Sequence, residues 1–341
     1  MYPLNITSIL ARITLAQDDN MKQLVTQLSD GKKTAGSPVS IRFRPAVREF
    51  VMQASGQLGI SSAELVNIVM EGVMRETLTP GQAAVSRIPE RFWLLMDEHG
   101  LSPSSVVTLL SGWNIGLSIL ANRERTMDYL TTSVLDQLAE WFGVNREWLE
   151  GAAVPPAVVH GFRDWYQAAE LLRDRLAGAG HSGIPANTEI IFLRDKLSPD
   201  NESNDIQGNT RVGICLAQYK LMNGLPVKIV EYLGQQLIFD THKNPFTGFM
   251  SLCGLLVERN RLTDVQTFTT PAHLLELLYS GAALPVSVLS KIRNLHLNSH
   301  DQHYKQFWTA RERRPLIAPQ EYITDEWEFI AGEITDITQP K

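Results

Sequence analysis

His296, His300 and His303 fall at i, i+4 and i+7, one face of a helix expected from Val286 to about Trp308. That spacing can offer three nitrogen ligands to a metal. No cysteine and no clear fourth ligand lies nearby, so the face reads as polar surface and no metal is expected. Asp240-Thr241-His242 with Glu258 is the nearest thing to acid/base machinery. No nucleophile elbow, phosphate loop or paired carboxylate accompanies it, so no catalytic residue, cofactor or enzymatic activity is expected. The two cysteines, Cys215 and Cys253, have neither disulfide-framework nor metal spacing, which fits buried thiols in a reducing cytoplasm. The chemistry that stands out is recognition. Ser40, Arg42 and Arg44 alternate with Val39, Ile41 and Phe43, directly before Pro45.

Strict alternation is the period of a half-buried β-strand. Helical patterns follow at once, with no second strand nearby, so the natural partner is the same strand of a second subunit. Such an antiparallel ribbon carries paired Ser/Arg/Arg rows on its open face. A two-stranded ribbon fits the major groove of DNA, where arginine is the commonest reader of guanine.

The elements behind the strand have clear signals. Pro45 suits a helix opening, Val47, Phe50, Val51, Ala54 and Leu58 form its stripe, and Gly59 ends it. Ser61 with Glu64 makes a capping box for a second helix bearing Leu65, Val66, Val69, Met70 and Val73. A unit of about forty residues cannot bury that surface alone, and intertwined dimerisation serves strand and core together. Strand, helix, Gly59-Ile60-Ser61 turn and helix resemble the ribbon-helix-helix family of bacterial and phage DNA-binding proteins over residues 37–78. The resemblance implies base contacts from Ser40, Arg42 and Arg44. It also implies a phosphate on the amides around Ser61 and Ser62, where a helix N-terminus favours an anion.

The whole chain is acidic, at −6. Locally, Gly31 to Arg48 holds Lys32, Lys33, Arg42, Arg44 and Arg48 and no acid, a basic arm suited to phosphate contacts through Lys32 and Lys33. Residues 1–36 otherwise read as short helices leading into that arm. They lack a basic n-region and a span-length apolar run, so neither a signal peptide nor a membrane span is expected.

Thr79-Pro80-Gly81-Gln82-Ala83-Ala84 opens a linker over 79–88. Residues 89–152 then read as short helices: Arg91–His99, Ser102 to about Leu110, Asn114 to about Asn122, Thr132–Phe142, and a closing Asn145–Gly151 segment. The pieces Gly100-Leu101-Ser102-Pro103, Leu135–Val144 and Trp148–Gly151 resemble the Xre/λ-repressor helix-turn-helix family. By that resemblance the third helix enters the groove, with Asn114, Ser118, Asn122, Arg123 and Arg125 as a second DNA site. Its apolar content equally suits packing or a protein contact. Trp113, Trp141 and Trp148 read as core or interface anchors.

Residues 158–341 read as an α+β module that senses a ligand, binds a partner or oligomerises. Expected there are a helix over Phe162–Leu176, a strand over 189–194 and a polar loop over Ser198–Thr210. Strands Val212–Tyr219 and Val227–Tyr232 are joined by an Asn223-Gly224 turn, with a further strand at Gln236–Asp240. Helices are expected over Phe249–Glu258 and Ala272–Leu278. From Pro315 to Pro340 there are six acids and no base, an acidic tail (with Tyr322, Trp327 and Phe329) able to dock on a partner or cover a basic surface.

The fold expected is thus α+β, mostly α in its N-terminal half. The function expected is that of a cytoplasmic, homodimeric, sequence-specific transcription regulator of bacterial, plasmid or phage type, binding double-stranded DNA. Control of conjugative-transfer or other mobile-element genes, more as an activator than a bare repressor, follows by analogy alone. The alternatives are a partition, DNA-processing or antitoxin-type DNA-binding protein, or a regulator answering to a small ligand on its C-terminal domain.

Overall fold

The computed structural model describes residues 40–179, 188–195, 211–238, 243–298 and 325–337. The chain is α+β, mainly helical, with one small mixed sheet. Its contacts divide it into two units, residues 1–87 and 88–341.

In the first unit, α1 (Pro45–Leu58) opens on its proline and closes at Gly59, φ 68°. Helix α2 (Ser62–Leu78) starts at Ser61, whose hydroxyl accepts from the Glu64 amide at 3.1 Å. Both ends lie where the sequence signals put them. The segment read as a linker is different. The Thr79 carbonyl accepts from the Ala83 amide at 2.9 Å, and α3 runs from Pro80 to Glu98. Proline at a first helical position has no amide that needs a partner, so Pro80 starts a helix here instead of breaking the chain. Pro89, inside α3, removes one internal hydrogen bond, two residues past the boundary between the units.

In the second unit the short helices are α4 (Pro103–Leu109), α5 (Leu117–Leu120), α6 (Arg123–Tyr129), α7 (Thr132–Phe142) and α8 (Arg146–Leu149). Then come α9 (Trp165–Ala179), β1 (Thr188–Asp195), β2 (Arg211–Met222), β3 (Leu225–Ile238), α10 (Lys243–Glu258), β4 (Asp264–Thr270), α11 (Ala272–Tyr279), α12 (Pro285–Asn298) and α13 (Asp325–Ile337). The strand order is β3-β2-β1-β4. β1 is antiparallel to β2 and parallel to β4, and β2 and β3 form a long hairpin. Asn223 and Gly224 turn it with φ 47° and 81°, the left-handed pair that a tight two-residue hairpin needs.

Alternation along the strands divides the core. Ile190, Phe192, Ile214, Leu216 and Leu233 lie under α9, α10 and α13. Ile191, Leu193, Cys215, Ala217, Val230 and Tyr232 lie under α11 and α12. A third cluster joins Phe92, Leu95, Leu109, Leu138 and Trp148 of the helical bundle to Met222, Val227 and Ile229 of the hairpin. The helical bundle therefore completes its core with the end of the sheet.

Three elements are absent from the sequence reading: α6, β4 and α13. β4 (Asp-Val-Gln-Thr-Phe-Thr-Thr) has no apolar alternation to announce it. α13 falls in the acidic tail, yet buries Trp327, Ala331 and Ile334 within the chain. Trp327 stacks on Tyr166 at 4.7 Å, so this part of the tail already has a partner.

Candidate nucleic-acid interface

Ser40 to Arg44 are exposed and form no strand within the single chain. Arg44 is the extended N-cap residue of α1 (φ −62°, ψ 151°), and its carbonyl accepts from Arg48 at 2.9 Å. The extended segment thus ends where the helix begins. Ser40, Arg42 and Arg44 stand together on one short stretch, as the alternation requires. Lys32, Lys33 and Val39 lie outside the described residues.

The surface behind that stretch is unusually apolar. Phe50 is 67% exposed, Leu58 64% and Ile41 56%, and Phe43, Val47, Val69 and Met70 are also open. Among the described residues of this unit, only Val51, Leu78 and Ala83 are buried apolar side chains. Helical spacing puts Val47, Phe50, Ala54 and Leu58 on one face of α1.

Ser61 and Ser62 sit at the start of α2, but both hydroxyls are engaged. Ser61 caps Glu64, and Ser62 Oγ lies 3.1 Å from Ser55 Oγ. Phosphate binding at this helix end would fall to backbone amides.

In the bundle the third helix departs from the sequence reading. Asn114 does not cap a helix to Asn122. It takes a left-handed φ of 56° after the 3-10 turn Ser111–Trp113, a conformation asparagine tolerates. Gly116 then starts α5, a single turn of four residues. Asn122 instead caps α6, its Oδ1 accepting from the Arg125 amide at 3.1 Å. Ser118 and Arg125 are exposed, and Arg123 is the first residue of α6. Asn114 thus closes the 3-10 turn, Ser118 lies in α5, and Asn122, Arg123 and Arg125 belong to the start of α6, with Asn114 and Asn122 shaping backbone. Trp113 meets Trp141 edge-on at 5.9 Å, and Trp148 is buried under Arg91 at 5.3 Å.

Two charged groups went unnoticed in the sequence because strand alternation, not a motif, assembles them. On the α12 side of the sheet, Glu189 accepts from Lys228 at 3.1 Å and Arg293 at 3.0 Å. On the opposite side, Glu231 accepts from Arg175 at 2.6 Å and Lys220 at 3.4 Å, and Arg175 donates to His160 Nε2 at 3.1 Å. Burial and the neighbouring guanidinium hold His160 below the usual imidazole range. The carboxyl of Glu231 is lowered despite burial, because Lys220 and Arg175 face it.

Cys215 and Cys253 are buried and unbridged, and burial pushes the Cys215 thiol up to about 12. Among the described residues, no three His, Cys, Asp or Glu side chains come together as a metal site. His296 lies in the last turn of α12, whereas His300, His303 and Asp240-Thr241-His242 lie outside the described residues. No described helix is long and apolar enough to cross a membrane. No family model, curated protein or solved structure matches the chain.

Proposed function

We propose that the chain is a sequence-specific DNA-binding transcription regulator that works as a cytoplasmic homodimer. Two copies of Ser40–Arg44 pair as an antiparallel ribbon, and Ser40, Arg42 and Arg44 of each read base edges in the major groove. The observation that carries this reading is the exposed apolar face of α1 and α2, continued by Ile41 and Phe43. A surface of that kind belongs in an interface, and a ribbon that turns Ile41 and Phe43 inward turns the arginines outward. A two-fold protein then implies a two-fold operator.

The test is selection from a random DNA pool with wild type and an Arg42→Ala/Arg44→Ala variant, at several salt concentrations because phosphate contacts make affinity salt-dependent. Wild type should select a palindromic motif. The folded, dimeric variant should lose about 1–3 kcal/mol for each base contact. Equal binding by both would move recognition to the helix-turn-helix-like bundle, and no binding by either would end the proposal.

A further inference from the structure

A polar belt separates the two apolar cores that share one face of the sheet. Ile214, Leu216 and Leu233 belong to the core under α9, and Met222, Val227 and Ile229 to the helical bundle. Between them, on the same face by alternation, stand Gln218, Lys220 and Glu231. Leu216 pairs with Glu231 and Gln218 with Ile229, so Gln218 is diagonal to Glu231 and two residues from Lys220. Arg175 reaches in from α9, His160 from the segment leading to it, and Gly143 of the bundle faces the Glu231 side chain.

Donors outnumber acceptors in this belt. Arg175 is spent on Glu231 and His160. Among the described residues, Lys220 has one polar contact, at 3.4 Å to the same carboxylate. Gln218 is 5% exposed, and its buried Nε2 has no hydrogen-bond partner among the described residues. Two cations stand against one carboxylate, with an imidazole accepting through Nε2. A buried donor without a partner calls for an explanation, and surplus positive charge beside it selects the sign of what would satisfy it.

The geometry points to a small-anion site here, in which Gln218 Nε2 and Lys220 Nζ bind a carboxylate- or phosphate-bearing small molecule while Arg175 and Glu231 hold the cradle. Lys220, 37% exposed, provides the way in from solvent. The anion would sit where bundle, α9 and hairpin meet, so its occupancy would tie the bundle to the sheet. This inference does not depend on DNA binding.

Calorimetric titration of the full chain with inorganic phosphate, and separately with malonate, tests it at an ionic strength held constant with chloride. Wild type should bind at least one of the two saturably and melt at a higher temperature with it. Which one binds distinguishes the phosphate from the carboxylate source. Gln218→Leu and Lys220→Gln should each weaken binding at least tenfold while circular dichroism stays native. Lys220→Gln, at a partly exposed position, serves if Gln218→Leu does not fold. Absence of saturable binding to wild type, or equal binding by a folded variant, overturns the site.

Discussion

Asn223, at the tip of the β2–β3 hairpin, donates its side-chain amide to the carbonyl of Leu109 at 2.7 Å, 114 residues away in the chain. Leu109 is the last residue of α4, so the turn of the hairpin serves as a cap for a helix of the bundle. Replacement by alanine removes that bond and places a Cβ-bearing residue with no local hydrogen bond at φ 47°. The expected cost is about 2 kcal/mol. Asn223→Gly keeps the turn and loses only the bond, at about 1 kcal/mol. Urea unfolding of both variants separates the two contributions.

Phe50 gives the sharpest check on dimerisation. If α1 is covered by a second copy, Phe50→Ala should cost about 3 kcal/mol over two subunits, roughly a hundredfold in the dimer dissociation constant. Sedimentation over a range of concentrations would reveal it. An unchanged monomer–dimer equilibrium would place the interface elsewhere.

Gly248 is the close neighbour of Trp327: a Cβ there would lie 2.2 Å from the indole nitrogen. Gly248→Ala should therefore displace α13 and cost about 1–3 kcal/mol. Phe329→Ala, on the exposed side of the same helix, should stay within about 0.5 kcal/mol of wild type. Thermal unfolding of the pair tests whether α13 is an integral part of the core.

Acid should weaken the second unit in two stages. Burial lowers His99, and burial together with Arg175 lowers His160. The unfolded chain therefore binds more protons at these sites, and their contribution, present above the ordinary imidazole pKa of 6.5, is lost as pH falls below it. Glu189 is lowered by Arg293 and Lys228, and Glu231 by Lys220 and Arg175, against the opposing effect of burial. Their contribution is present above about 4.5 and is lost on further acidification. Denaturant unfolding between pH 8 and 3 should show both declines, and His160→Gln should reduce the first.

Local signals carried far in this sequence. Pro45, Gly59, Ser61 and Ser102 act at helix ends because a fixed φ, a missing Cβ or a capping hydroxyl decides the matter within a few residues. Asn223-Gly224 sets a hairpin for the same reason. Where two local readings competed, the outcome depended on partners distant in sequence. Asn114 suits both a cap and a left-handed turn, and Pro80 both a linker and a helix start. β4 owes its place to β1, seventy-odd residues earlier by register, and its threonines gave no pattern. The polar belt was invisible for a like reason: Arg175, Gln218, Lys220 and Glu231 meet only after α9 packs on a paired β2 and β3.

Met222, Val227 and Ile229 have a consequence for how such a protein can be inherited. A recombination joint near residue 152 would hand on a bundle stripped of part of its own interior, together with a hairpin whose greasy end has nowhere to go. A joint at Arg87 and Ile88 falls inside α3, yet the contacts are grouped on either side of it. The bundle and the sheet, sharing that interior, are inherited as one piece or not at all.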